Sequence, residues 1–187
     1  YYGNTTWKLN NTGIYQPGNA MLAMEVMRYL FRENARTARW REALSELKWA
    51  GRMEEVLPGV YVDGAHNISA VEAFLQSIPQ DEHGNIILFS AVKDKEYEKM
   101  AAALCRGMRA EAYVVTHIED PRGTRSEQLG DIFRKYTDSP VIVRENVKDA
   151  LLWVLENRES RRVYCLGSLY LTGMIKELIQ EVKSDAE

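Results

Sequence analysis

From about residue 52 onward, short runs of β-branched and aromatic residues alternate with amphipathic segments, and few architectures accept that rhythm. The runs are Val60 to Val62, Ile86 to Phe89, Tyr113 to Val115, Val141 to Val143 and Val163 to Leu166. Continuous apolar runs of this length mark strands covered on both faces. Between them, Val71, Phe74, Leu75 and Ile78 recur at helical spacing, as do Leu129, Ile132, Phe133 and Tyr136. Ala150, Leu151, Val154 and Leu155 repeat the pattern, and so do Ile175, Leu178, Ile179 and Val182. Tyr97 to Met108 supplies the remaining crossover, with Met100, Ala101, Leu104 and Met108 as its buried face. The expectation is an α/β fold built on an open, twisted, mainly parallel sheet with right-handed crossovers.

The first fifty residues break the alternation. An Asn- and Thr-rich start leads to a turn at Gln16-Pro17-Gly18, then to a helix carrying Met21, Met24, Met27, Leu30 and Phe31, and then to a second helix from about Thr37 to Trp49. Helices with no strand between them read as the end of a different domain, so a boundary is expected at Gly51, giving segments 1–50 and 51–187. Ser184 to Glu187 read as a frayed tail.

Composition narrows the function classes. The chain has 187 residues, 45% of them apolar and 27% charged, which suits a globular core. Its net charge of −3 contains no long block of one sign, so neither a nucleic acid nor a membrane surface is an expected partner. Cys105 and Cys165 lie far apart in apolar runs, which argues against a disulfide framework and for a reducing cytoplasm. No apolar stretch approaches a membrane span, and no signal core opens the sequence.

The densest chemistry lies in Asp63-Gly64-Ala65-His66-Asn67, where a buried strand runs into a polar turn before a helix. In open α/β sheets ligands bind there. An acid can accept from a hydroxyl, an imidazole can donate to an anion and an amide can cap the next helix; equally, Asp63 and Asn67 can serve only the turn, with His66 a solvated surface residue. Arg52 can meet a phosphate or carboxylate with its planar fork, or simply pair with Glu54 or Glu55. Asn19 can face a ligand or cap its helix. Ser90 to Lys95, Pro121 to Arg125 and Gly167 to Tyr170 also fall at strand ends, where a small hydroxyl and backbone N–H groups after the last strand could hold an anion. Neither G-x-x-x-x-G-K-[ST] nor G-x-G-x-x-G nor G-x-S-x-G occurs, and His66, His83 and His117 have no metal-ligand spacing.

Taken in order, four stretches resemble the C-terminal part of the folylpolyglutamate synthase and dihydrofolate synthase family, within the Mur ligase superfamily. Gly13 to Ala20, G-I-Y-Q-P-G-N-A, is similar to the family's Gly-x-His-Gln-x-x-Asn-Ala near the end of its central ATPase domain. Trp49 to Glu54, W-A-G-R-M-E, is similar to Trp-x-Gly-Arg-x-Glu at the entry to the C-terminal domain. D-G-A-H-N at Asp63 to Asn67 and G-S-L-Y-L-T-G at Gly167 to Gly173 resemble the two motifs of that domain. Two positions depart: Tyr15 stands where His is frequent, and Phe89-Ser90-Ala91-Val92 where a Gly-containing turn is common.

The resemblance implies a Rossmann-like sheet of the Mur ligase C-terminal type over 51–187, preceded by helices ending the central ATPase domain over 1–50. It implies an ATP- and Mg2+-dependent ligase that joins L-glutamate to the carboxylate of a folate or of dihydropteroate through an acyl phosphate. By position, Asn19, Arg52 and Asp63 would contact ATP, His66 would sit where the amino acid meets the acyl phosphate, and Ser168 would help to hold glutamate. The P-loop and the magnesium ligands would lie in a missing N-terminal domain of the same polypeptide, so the chain alone would be inactive. It would act as a monomer. The competing expectations are a different Mur-type amino-acid ligase and a stand-alone Rossmann-like nucleotide-binding module.

Overall fold

The computed structural model describes residues 5–10, 13–32, 36–79 and 84–184, and side chains as far as residue 181. The chain forms two compact units, Tyr1–Ala50 and Gly51–Glu187.

The first unit holds α1 (Gln16–Phe31) and α2 (Thr37–Glu46). Gln16-Pro17-Gly18, expected to be a turn, is already the first turn of α1. Proline fits there because the first helical N–H groups have no intrahelical partner to lose. Tyr15 is the N-cap, which removes Asn19 from the capping role. The Phe31 and Trp40 rings meet at 5.9 Å and join the two helices.

The second unit contains one six-stranded sheet. Its strands are β1 (Glu54–Leu57), β2 (Val60–Val62), β3 (Asn85–Phe89), β4 (Ala112–Thr116), β5 (Val141–Arg144) and β6 (Arg162–Leu166), in the order β1-β2-β6-β3-β4-β5. Five of them are parallel, and β1 alone runs antiparallel, paired with β2 at one edge. The five runs named from sequence all form strands; β1 was missed. It opens with two glutamates and covers only four residues at an edge where one face stays wet, so it carries no apolar run. The Pro58-Gly59 turn, with Gly59 at φ +76°, was the available signal for this hairpin.

The connecting helices are α3 (Ile68–Ser77), α4 (Tyr97–Gly107), α5 (Ser126–Arg134), α6 (Val147–Asn157) and α7 (Leu169–Ser184). Alternate strand residues face opposite layers. Ile87, Phe89, Tyr113, Val115, Tyr164 and Leu166 pack under α3, α4 and α5, while Val60, Val62, Ile86, Leu88, Val114, Val163 and Cys165 pack under α6 and α7. Within the first layer Tyr164 stacks on Tyr61 at 5.4 Å and meets the Phe74 ring edge-on at 5.2 Å. Burying a side chain such as Phe74 contributes about 2–3 kcal/mol.

The helical stripes read from sequence point inward with one exception. Tyr136 lies beyond the end of α5, is exposed, and donates its hydroxyl to Glu98 Oε1 at 3.3 Å. The Val182 side chain and residues 185–187 of the expected tail lie outside the described residues, as does His83.

The last strand, β6, inserts between β2 and β3, so the chain turns back across the sheet through α6. Helices therefore leave the neighbouring carboxyl ends of β2, β6 and β3 toward opposite faces: α3 and α4 on one, α7 on the other. That divergence marks the end of the sheet at which open α/β folds bind ligands.

Candidate functional site

At this edge the loops are joined through their backbones. Asp63 N–H donates to Cys165 O at 2.9 Å, Gly167 N–H to Ala65 O at 2.9 Å, and Ser90 N–H to Leu166 O at 3.3 Å. The ends of β2, β6 and β3 thus form one rim. Gly167 sits at φ +108°, and a Cβ there would come 2.2 Å from Ser90 O, so the approach of the loops requires glycine.

Asp63 is only 4% exposed. Its Oδ1 accepts from Ala65 N–H at 2.8 Å and its Oδ2 from Met53 N–H at 2.9 Å. Both carboxylate oxygens are thus occupied by backbone N–H donors. The carboxylate thereby ties the turn after β2 to the turn before β1, ten residues earlier.

The turn before β1 carries Arg52, flanked by Gly51 at φ +67° and Met53 at φ +45°. A left-handed non-glycine residue costs about 1–2 kcal/mol, offset here by the Asp63 bond to its N–H. The Arg52 side chain runs alongside Gly64: a Cβ at Gly64 would meet Arg52 Nη1 at 3.3 Å and Leu169 Cδ2 at 2.3 Å. Gly64 N–H also donates to Gly51 O at 2.8 Å. The guanidinium therefore belongs to the same rim as the D-G-A-H-N turn.

His66 is half-buried, with Nδ1 2.7 Å from Gly64 O. A carbonyl can only accept, so Nδ1 is the donor, and in the tautomer that this bond selects Nε2 is the nitrogen free to accept a proton. Asn67 caps α3 by accepting from Ala70 N–H at 2.8 Å, which is the plain structural use of that residue. Ser168 is 3% exposed and precedes the first turn of α7, where its Oγ accepts from Tyr170 N–H at 3.2 Å.

Arg52, Asp63, His66 and Ser168 thus come together at the adjacent ends of β2 and β6. Asn19 belongs to the other unit, in the first turns of α1, where it lines a hollow of about 80 Å3 with Leu9, Gln16, Leu44 and Trp49.

Sequence reasoning undervalued the loop after β4. It folds back onto the loop after β3: Lys93 N–H donates to Arg122 O at 2.7 Å and Thr124 N–H to Ala91 O at 2.9 Å. Arg122 is anchored on both sides, by Asp120 Oδ1 at 3.2 Å and by the Tyr170 hydroxyl, with its guanidinium carbon 5.3 Å from the Tyr170 ring centre. The Arg122 backbone N–H and then its side chain hold the Asp120 carboxyl below the usual range. Glu54 and Lys176 were missed as partners: Lys176 Nζ lies 2.8 and 3.0 Å from the two Glu54 oxygens. A pairing across 122 residues leaves no local signal.

Among the described residues, no three His, Cys, Asp or Glu side chains gather so as to hold a metal ion, and no helix is long and apolar enough to cross a membrane.

Residues 51–169 match the glutamate ligase domain of the Mur ligase family. The chain belongs to that family. It is 29% identical over 176 residues to the dihydrofolate synthase/folylpolyglutamate synthase of Bacillus subtilis (strain 168), covering 90% of this chain and 40% of that protein. Its fold is similar to that of Mycobacterium tuberculosis folylpolyglutamate synthase complexed with ADP and AMPPCP, with a TM-score of 0.83 and 23% identity, covering 91% of this chain and 41% of the other. It is also similar to E. coli FolC in complex with DHPP and ADP, with a TM-score of 0.78 and 22% identity, covering 94% and 41%. The chain spans about two fifths of the length of these relatives.

Proposed function

We propose that this chain is the C-terminal part of an ATP-dependent ligase that joins the amine of L-glutamate to the carboxylate of a folate, a folylpolyglutamate synthase that also acts as a dihydrofolate synthase on dihydropteroate. The observation that carries this reading is the rim itself: the Arg52 guanidinium beside Gly64 of the Asp63 to Asn67 turn, at the carboxyl end of the sheet. The Bacillus subtilis relative is named for both activities, and the two structural relatives were solved with nucleotides.

In this reading Arg52, Asp63 and Asn19 serve the nucleotide, with the Arg52 fork opposite phosphate charge. His66 and Ser168 serve the incoming amino acid. The Nε2 atom of His66 can take the proton that the amine sheds as the amide bond forms and phosphate departs from the acyl phosphate. Closing such a rim over the intermediate keeps water from hydrolysing it. Magnesium would accompany the nucleotide. The described residues offer it no cage, so no step is assigned to them through the metal.

The phosphate cradle, the magnesium ligands and the folate pocket are then supplied by a preceding domain of the same polypeptide, and this chain alone is inactive. Residues 1–50 would be the end of that central domain. Leu22, Val26, Tyr29 and Leu30 support this: they recur along one stripe of α1, all exposed, with Tyr29 at 74%. A segment folded against them would remove that stripe from water. Two free thiols fit a reducing cytoplasm.

The test is ADP release by the full-length polypeptide. We expect release only when a folate or dihydropteroate and L-glutamate are both present, and a product heavier by one glutamate. Equal turnover with a different amino acid would move the chain to another branch of the Mur ligases. Nucleotide binding with no turnover under any pairing would favour a binding module.

A further inference from the structure

We propose that Glu54 and Lys176 are positioning residues for Arg52, acting through the backbone of the turn that carries it; this rests on the assignment of Arg52 to the nucleotide. Arg52 sits between two residues in the left-handed region, Gly51 at φ +67° and Met53 at φ +45°. A guanidinium on such a turn is aimed only if the turn is held. Two holds come from the neighbouring loop: Met53 N–H to Asp63 Oδ2 at 2.9 Å and Gly64 N–H to Gly51 O at 2.8 Å. The third comes from Glu54, whose Oε2 accepts from Gly51 N–H at 2.6 Å.

A glutamate side chain is a poor anchor unless something fixes it, because it loses rotamer freedom in making the bond. Lys176 supplies the fixing point, with Nζ 2.8 and 3.0 Å from the two carboxylate oxygens. It projects from the second turn of α7, a helix locked into the core by the buried Ile175 and Ile179. The same helix also touches this turn and the loop that holds it. Thr172 Cγ2 lies 3.0 Å from where a Gly51 Cβ would stand, and Leu169 covers Gly64. Each side chain of the pair is 29% exposed, so the ion pair is partly screened and adds little to stability. What it does is restrict where Arg52 points, much as outer partners orient the ligands of a site.

The test uses the full-length polypeptide, with KM for ATP and kcat as readouts and the melting temperature followed in parallel. Lys176→Met is expected to raise KM for ATP roughly three- to tenfold with little change in melting temperature, and Lys176→Arg to retain the native value. Arg52→Ala is expected to raise KM further, and the double variant Arg52→Ala with Lys176→Met to match Arg52→Ala alone within about twofold, since a positioning residue has no work left once its target is gone. Glu54→Gln, which keeps an acceptor for Gly51 N–H but loses the ion pair, should follow Lys176→Met. If Lys176→Met leaves KM unchanged, or multiplies the Arg52→Ala defect by the same factor it shows alone, the positioning role is overturned while the nucleotide role of Arg52 stands. If Arg52→Ala itself leaves ATP kinetics unchanged, the nucleotide assignment has failed and the positioning role falls with it.

Discussion

Asp63 Oδ2 accepts the Met53 backbone N–H at 2.9 Å, so the acid of the D-G-A-H-N turn clamps the residue after Arg52. Its other oxygen holds Ala65 N–H, and only 4% of the residue meets solvent. Removing the carboxylate would leave two amide donors without their acceptor in a dry place.

Asp63→Ala is accordingly expected to cost about 2–6 kcal/mol of folding stability, from roughly 1–3 kcal/mol for each stranded donor. Asp63→Asn, which retains one acceptor oxygen, should cost less. Urea unfolding of the 187-residue chain distinguishes them; equal stability of all three proteins would contradict the clamp.

For His66 the expectation is reversed. Its ring is half-buried and is held through Nδ1 to Gly64 O, so His66→Ala should shift the melting temperature little. In the full-length polypeptide it should lower kcat by about a hundredfold or more, the usual scale for a positioned proton acceptor. A large thermal shift with near-normal kcat would assign His66 to structure instead.

Gly167→Ala places a Cβ 2.2 Å from Ser90 O in a backbone region that L side chains avoid. The colliding atom is main chain and cannot swing aside. A loss of about 2 kcal/mol or more is expected by thermal or urea unfolding, with the β6 and β3 loops pushed apart.

Leu166 and Val62 are fully buried on opposite faces of the sheet. Replacing either with Asp inserts an unpaired carboxylate at a cost of several kcal/mol, enough to unfold a typical domain. Loss of the cooperative unfolding transition is the expected result for both.

Desolvation pushes the Cys165 thiol up to about 12, from an ordinary value of 9.0. Below about pH 9 the thiol is protonated in folded and unfolded chains alike and folding is unaffected. Between 9 and 12 the unfolded chain releases a proton that the folded chain keeps, so stability is lost as pH rises through that window. Cys165→Ala should flatten this part of the stability profile. At pH 8 a thiol reagent should reach Cys165 only after denaturation.

Much of this chain is written locally. Continuous apolar runs locate five of the six strands and 3.6-period stripes locate α3 to α7 among the described residues, because a strand covered on both faces and a helix covered on one each demand that pattern along the chain. The D-G-A-H-N stretch also points to this end of the sheet, since a polar turn that follows a buried strand and precedes a helix falls at the carboxyl edge. Strand β1 escaped because an edge strand need not be apolar. The placement of β6 between β2 and β3, the burial of Asp63, and the grip of Lys176 on Glu54 were decided only by tertiary structure. Each depends on which distant segments meet, and a pairing between residues 122 positions apart, such as Lys176 with Glu54, is set by the packing of α7 on the sheet rather than by any pattern its neighbours carry.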